Sequence, residues 1–371
     1  MGSPIKRQVR VGIVGAGLIG RTHSLMLRLL ADAVPESVAV TRVYDIDAAA
    51  ADALASQWPE ARSCAGAEQI FDDGSVDAVF VCTPTATHRE LCLGAAASGK
   101  HVFCEKPLAM NSAEADEIRA AIERAGLVGQ VGLVLRFSPV YTVIAAMAAQ
   151  EGAGRMLAVT MRDDQDFPVR GAHASKCKWR NQPGLTAGGT LIEHSVHDFD
   201  AFAWMFGPIR RLYCRTRVLN GAPGIEDCAV TEFDFEEGFH GQLTSVWHRI
   251  LNRPSNRRIE VFTENLFLAC DTDGAGPIVI QRGEGYEEKI TEEEVMRRYQ
   301  DLVLRERPCL SPLRHAFRIP YAVQDATFVA ALRGECAPGP GIDTGVAAQR
   351  SVEAAYRSAA SGVAVDLINL K

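Results

Sequence analysis

Apolar residues in the first third of the chain fall in short runs separated by helical periodicity. Residues 9–14 (V-R-V-G-I-V) form a β-branched run that stops at Gly15, and residues 18–30 then carry helix formers at helical spacing. Residues 38–44 (V-A-V-T-R-V-Y) predict a second strand ending at Asp45, followed by an Ala-rich helix at 47–58. Residues 76–82 are nearly all apolar, as a parallel strand covered on both faces requires, and Thr83-Pro84 ends that run. The alternation continues with a helix at 88–97, a strand at 101–104, a helix at 112–125 and a strand at 128–135. Such alternation predicts a doubly wound parallel sheet, with ligands outside the carboxyl ends of its strands.

Beyond this point the pattern changes. A helix at 139–150 precedes strand-like runs at 155–162, 209–218, 229–235, 240–248, 257–263 and 278–281. Turn signals such as Glu236-Glu237-Gly238 and Asp273-Gly274 lie between them, which predicts an antiparallel meander in a largely open sheet. One helix, 188–206, interrupts this region, and helices at 312–333 and 344–361 close the chain, the last with Asp343 as its candidate cap. The expected fold is α/β: a Rossmann domain over 1–136, then an α+β domain with a large, mostly antiparallel open sheet over 137–336. A linker (Cys336-Ala337-Pro338-Gly339-Pro340-Gly341) and a helix packing back on the core fill 337–371.

Bulk composition agrees with two cores: 371 residues, 47% hydrophobic and 23% charged. The net charge of −7, from 39 basic and 46 acidic residues without a basic run, makes nucleic acid an unexpected partner. Ten scattered cysteines without a C-x-x-C pair predict neither a zinc centre nor a dithiol redox centre, but mostly small buried hydrophobes in a reducing cytosol. No apolar stretch reaches membrane-spanning length, and residues 1–10 lack the apolar core of a signal peptide. Lys6 stands where a myristoylation signal starting at Gly2 needs Ser or Thr. The expectation is a cytoplasmic protein with no membrane partner.

Three segments carry candidate chemistry. The first is G-A-G-L-I-G at 15–20, between a predicted strand and a predicted helix. There Gly15, Gly17 and Gly20, with Leu18 and Ile19, would let backbone N–H groups approach a pyrophosphate at the helix N-terminus. Asp45, 25 residues after Gly20, ends the second strand, where a carboxylate accepts from the ribose 2′-OH and repels a 2′-phosphate, favouring NAD over NADP. The second segment is Cys104-Glu105-Lys106-Pro107, which puts Lys106 at the sheet's C-terminal edge, near a nicotinamide. A lysine after a strand is more often a solvated surface residue, but between Glu105 and Pro107 it is suited to orienting a hydroxyl or carbonyl oxygen and easing its proton transfer. The third is Glu193-His194-Ser195-Val196-His197-Asp198, where helical spacing puts Glu193 and His197 on one face, a carboxylate beside a candidate general base. The same spacing equally describes an amphipathic helix whose histidines fill polar gaps. No metal is expected, because His194 points about 60° away from the Glu193–His197 side at ~100° per residue.

Together the glycine turn, E-K-P and G-G-T-L-I-E-H-S-V-H-D resemble the Gfo/Idh/MocA family of NAD(P)-dependent oxidoreductases over nearly the whole chain. The resemblance implies reversible oxidation of a secondary alcohol on a sugar, inositol or related polyol, with Lys106, His197 and Glu193 catalytic. Glu193 stands where the family commonly has Asp. It also implies that Thr83, Pro84, Thr85 and His88 (T-P-x-x-x-H), with Glu105 and Lys106, flank the cofactor, that Arg136 joins them, and that Trp179 and Arg180 reach the substrate together with Lys106, Glu193 and His197. Val131-Gly132-Leu133-Val134-Leu135-Arg136-Phe137 keeps one Arg of the family's V-G-F-N-R-R-F and loses the Asn. A homodimer or homotetramer is implied. An NAD-dependent glycosidase acting by transient oxidation, a reductase of a non-sugar carbonyl and a non-catalytic NAD sensor remain alternatives at this stage.

Overall fold

The computed structural model describes residues 4–166, 178–219, 223–250, 253 and 255–367; Cys177 lies outside them. The chain divides into two compact units, Met1–Val134 with Val303–Val346, and Leu135–Leu302 with Ala347–Lys371.

The first unit is built on a six-stranded sheet, all pairs parallel. Its strands are β1 (Val9–Val14), β2 (Val38–Tyr44), β3 (Arg62–Ser63), β4 (Ala78–Val81), β5 (His101–Cys104) and β6 (Gly129–Val131), in the order β3-β2-β1-β4-β5-β6. Helices α1 (Leu18–Ala33), α2 (Ala48–Ala55), α3 (Glu68–Phe71), α4 (His88–Ala97) and α5 (Ser112–Arg124) connect them. All four residues of β4 are buried, as the uniform apolar run predicts for a central parallel strand. The last strand is shorter than the expected 128–135. Gly132 N–H still donates to Cys104 O at 2.8 Å, but Leu133 N–H turns back to Val131 O at 2.7 Å, ending the ladder, and a 3-10 turn follows at Val134–Phe137.

The second unit opens with α6 (Pro139–Ala148) and carries a nine-stranded sheet: β7 (Met156–Asp166), β8 (Ile209–Arg217), β9 (Cys228–Phe235), β10 (His240–His248), β11 (Asn256–Thr263), β12 (Leu266–Cys270), β13 (Ile278–Arg282), β14 (Glu288–Ile290) and β15 (Val365–Asp366). The order β14-β13-β12-β11-β7-β10-β9-β8-β15 corrects the meander. The early strand β7 inserts between β11 and β10 and pairs parallel with β10, while the other pairs are antiparallel. β10 alternates buried and more accessible residues, the signature of a sheet covered on one face. The covering helix α7 (Val196–Phe206) sets Phe199 and Phe202 on Phe233 of β9, with ring centroids 5.2 and 5.0 Å apart.

The expected helix at 188–206 instead begins at Thr190, and Leu191–Ser195 is a π turn. Helix α8 (Glu292–Glu306) lies outside the predicted elements. The expected 312–333 helix divides into a 3-10 segment, Pro308–Ala316, and α9 (Pro320–Leu332), because Pro320 can begin a helix but lacks the N–H to continue one. Pro340 and Gly341, expected in a linker, pair with the edge of β6: Val131 N–H donates to Pro340 O at 3.0 Å, and Gln130 bridges Gly341. Asp343 sits inside the first turn of α10 (Ile342–Ser361) rather than capping it. Five of the nine described cysteines are buried, and all nine are free thiols. No helix among the described residues is long and apolar enough to cross a membrane.

Candidate active site

The glycine loop occupies the C-terminal end of β1. Gly15 has φ +100°, and a Cβ there would lie 2.6 Å from the Cys82 carbonyl oxygen, so only glycine makes this turn. A Cβ at Gly20 would collide with the Gly15 carbonyl, whereas one at Gly17 would meet nothing within 4 Å. The first and third glycines therefore close the loop, and the second leaves room for another molecule to approach the backbone. Helix α1 begins here, at Leu18 and Ile19, with no side-chain cap and no acidic residue in its first turn. Its leading N–H groups and positive dipole end are thus suited to a diphosphate.

Asp45 ends β2 and turns back on this loop, accepting from Ala16 N–H at 2.6 Å and Asp47 N–H at 2.9 Å. The carboxylate is thereby held at the end of β2 beside the glycine loop. Asp45→Ser is expected to reduce kcat/KM for NAD at least about tenfold, the loss of a charged hydrogen bond, and to raise relative use of NADP. Initial rates with both cofactors check it.

Thr83, Pro84, Thr85 and His88 follow β4 at the same sheet edge. The buried His88 ring joins two loops, with Nδ1 2.8 Å from Pro107 O and Nε2 2.9 Å from Thr83 O. Glu105 and Lys106 follow β5. Lys106 is half-buried, and its backbone N–H donates to Glu105 Oε2 at 3.2 Å. A Cβ at Gly132 would meet the Glu105 carboxylate at 2.3 Å, so a larger residue there would displace it.

Behind Glu105 lies a histidine that the sequence reading missed. His23, on α1 and fully buried, sets Nε2 3.1 Å from Glu105 Oε1 and Nδ1 2.8 Å from Asp325 Oδ2 on α9. Burial alone would lower the His23 pKa, but Asp325 and then Glu105, by charge and hydrogen bond, raise it to about 10. Burial would likewise raise Glu105, yet His23 and Lys106 hold it below the usual carboxylate range.

In the second unit, Trp179 and Arg180 lie in a 3-10 turn, with the guanidinium 5.2 Å from the indole centroid. Arg180 Nε is 3.5 Å from Glu193 Oε2, so these two predicted residues do come together. Buried Glu193 also accepts from Thr186 Oγ1 at 2.8 Å and Ala187 N–H at 3.2 Å. His197, 6% exposed, stands in the first turn of α7, with its ring centroid 6.4 Å from that of His194. Arg136 makes a two-pronged pair with Asp200 of α7, both bonds at 2.8 Å.

The segment leading into α7 is fixed at its start and at its centre by residues that no local motif announces. At its start, Glu226 accepts from Gly189 N–H and Leu191 N–H, each at 2.9 Å, and Tyr356 Oη donates to the same carboxylate. Gly189 is obligatory because a Cβ there would run into the Glu226 backbone. At its centre, Ser245 of β10, Asp163 of β7 and Arg257 of β11 share one register row across three adjacent strands. Asp163 Oδ2 meets His194 Nδ1 at 2.9 Å and accepts from Ser195 Oγ at 2.8 Å, a consecutive pair that the wide π turn presents to one oxygen. Arg257 donates to Asp198 at 2.7 Å and Asp273 at 2.9 Å. Burial would raise Asp163, but Arg257 and His194 hold its carboxyl well below the usual range. The only signal for this row in the sequence is polar residues at positions that alternate toward the core.

The two halves of the chain match known families separately. Residues 9–133 match a model described as an oxidoreductase family NAD-binding Rossmann fold, and residues 141–266 match the GFO/IDH/MocA C-terminal domain. The chain is 28% identical over 365 residues to inositol 2-dehydrogenase of Rhizobium meliloti, spanning 95% of this chain and 97% of the relative. It is 26% identical over 312 residues to myo-inositol 2-dehydrogenase of Thermotoga maritima, spanning 80% and 86%. Among solved structures, the WlbA dehydrogenase from Bordetella pertussis in complex with NADH and UDP-GlcNAcA shares the fold. It aligns with a TM-score of 0.82 over 98% of this chain and 99% of that one, at 22% identity.

Proposed function

Because the chain belongs to the Gfo/Idh/MocA family of NAD-binding oxidoreductases, we propose that it interconverts a secondary alcohol and a ketone on a cyclic polyol or sugar of inositol or hexose type. The observation that carries this reading is a lysine held just past β5, on the sheet edge that also bears the glycine loop and Asp45. The printed activities of the Rhizobium meliloti and Thermotoga maritima relatives support the choice of substrate class.

In this reading Gly17 and the start of α1 would hold the diphosphate, and Asp45 the ribose. NAD, when bound, supplies a hydride acceptor for the carbinol carbon. His197 takes the hydroxyl proton as general base, and Lys106 donates a hydrogen bond to the same oxygen throughout, stabilising the charge that develops on it. One alcohol and NAD thus yield one ketone, NADH and one proton. Glu193, anchored by Thr186 and Ala187, orients the base and holds Arg180 and Trp179 for substrate hydroxyls.

The test is a panel of inositols, hexoses and their keto forms incubated with NAD or NADH, followed by NADH absorbance. A cyclic polyol or its ketone should change NADH stoichiometrically. Release of free sugar from a glycoside with no net NADH change would replace this reading with a glycosidase.

A further inference from the structure

His23 lies outside the proposed reaction, yet it occupies one of the most constrained polar positions in the first unit. Its ring is enclosed by Phe80, Phe103 and Tyr321, with centroids 5.4, 4.9 and 5.8 Å away. Each ring nitrogen faces a carboxylate, and a carboxylate accepts only, so the ring donates from both sides. The two acceptors come from elements far apart in sequence: Glu105 precedes Lys106, and Asp325 is on α9. An apolar side chain would fill this volume without the cost of burying three ionisable groups. The polar alternative therefore calls for a reason beyond packing.

We propose that His23 is a positioning residue for Lys106: held by Asp325, it keeps the Glu105 carboxylate ionised and fixed beneath the Lys106 backbone, and that charge sustains the Lys106 ammonium. The inference rests on the reading of Lys106 as the group that hydrogen-bonds the reacting oxygen. The titratable groups facing this chain of contacts are Asp325, Glu105, Lys106, Tyr321 and two buried thiols, Cys82, which lies close enough to feel both carboxylates, and Cys104, which feels Glu105. Without the imidazolium, Glu105 is a buried carboxylate that has lost the larger of its two counter-charges and keeps Lys106. It then takes up a proton, and the ammonium beside it is less favoured.

Two consequences separate this role from simple packing. In His23→Gln the alkaline limb of the kcat/KM profile, where Lys106 loses its proton, should move down by about one pH unit. Glu105→Gln should move it equally, and the double variant no further, because both act through one charge. Asp325→Asn, which keeps the His23–Glu105 contact, should move it less and covers the case in which His23→Gln folds poorly. Folding raises His23 from 6.5 to about 10, so its ionisation stabilises the fold fully below 6.5, and that contribution is lost as pH climbs toward 10. The wild-type urea midpoint should therefore fall over that interval more than the His23→Gln midpoint does.

The deciding experiment is competitive acylation of lysines in the full-length protein across pH, read by mass spectrometry at Lys106, alongside the activity profiles. The expected result is a lower titration midpoint for Lys106 in His23→Gln and Glu105→Gln than in the wild type. An unmoved midpoint in a folded His23→Gln protein, or additive shifts in the double variant, would overturn the proposal. Activity retained by Lys106→Ala would instead remove the catalytic reading of Lys106, while the labelling midpoint would still report whether His23 governs its charge.

Discussion

Alanine at Lys106 or at His197 is expected to lower kcat by about a hundredfold or more, while NADH affinity stays close to that of the wild type. Both side chains act on the reacting oxygen in the proposed chemistry, whereas the features that fit NAD are Gly15, Gly17, Gly20 and Asp45, which neither change touches. The two variants should differ in their pH dependence. Removing His197 removes the base, so residual oxidation should rise as hydroxide takes over its task, and removing Lys106 should abolish the alkaline limb attributed to the ammonium. Steady-state kinetics with the substrate identified by the panel, combined with fluorescence titration of NADH, separates turnover from binding. Wild-type-like turnover in both variants would remove these residues from the mechanism.

Arg257→Ala should have the largest effect on stability. Its guanidinium is 6% exposed and bonded to Asp198 and Asp273, with Asp163 3.6 Å away, so truncation strands buried carboxylates instead of merely deleting a favourable pair. Breaking a buried ion pair from one side costs ~3–5 kcal/mol. On a unit of this size that corresponds to a fall in Tm of roughly 6–20 °C, measurable by scanning calorimetry. Turnover should fall as well, because Arg257, Asp163 and Ser245 anchor the helical turn that leads directly into His197. Arg257→Lys should recover little of either, since a single ammonium cannot fork between Asp198 and Asp273.

Local interactions are what the amino-acid pattern reported best. The strand at Val9–Val14, the glycine turn, the strand at Val38–Tyr44 and the helix at His88–Ala97 each depend on neighbours within one or two turns, and all appear where hydrophobic spacing puts them. Lys106 was legible for the same reason, as a charged residue immediately after a buried strand. Helix α8 was also present in the pattern: Val295, Met296, Tyr299 and Val303 are buried at helical spacing, and Glu294 N–H donates to Thr291 Oγ1 at 3.3 Å as a capping signal. The dense charge around those residues masks the apolar stripe.

Long-range pairings were not legible. The His23–Asp325 contact joins residues 302 positions apart, and nothing near either announces the other. The parallel pairing of β7 with β10 is similarly hidden, because alternation defines a strand's faces but not its neighbour. The π turn at Leu191–Ser195 depends on the Glu226 cap and the Asp163 carboxylate, both supplied by distant strands or loops. Within that turn Glu193 is fixed by Thr186 and Ala187, with Arg180 3.5 Å away, partners that its spacing to His197 does not announce.

Direct hydride transfer from a carbinol carbon is the central claim, and deuterium at that carbon tests it most directly. The polyol that changes NADH in the panel is deuterated at the oxidised position and incubated with NAD, and the reduced cofactor is weighed by mass spectrometry. The account predicts one deuterium on each NADH formed, one ketone per NADH, and a slower transfer of the same label by Lys106→Ala. Label washed into solvent, or retained in a cleaved product with no net reduction of NAD, would contradict it.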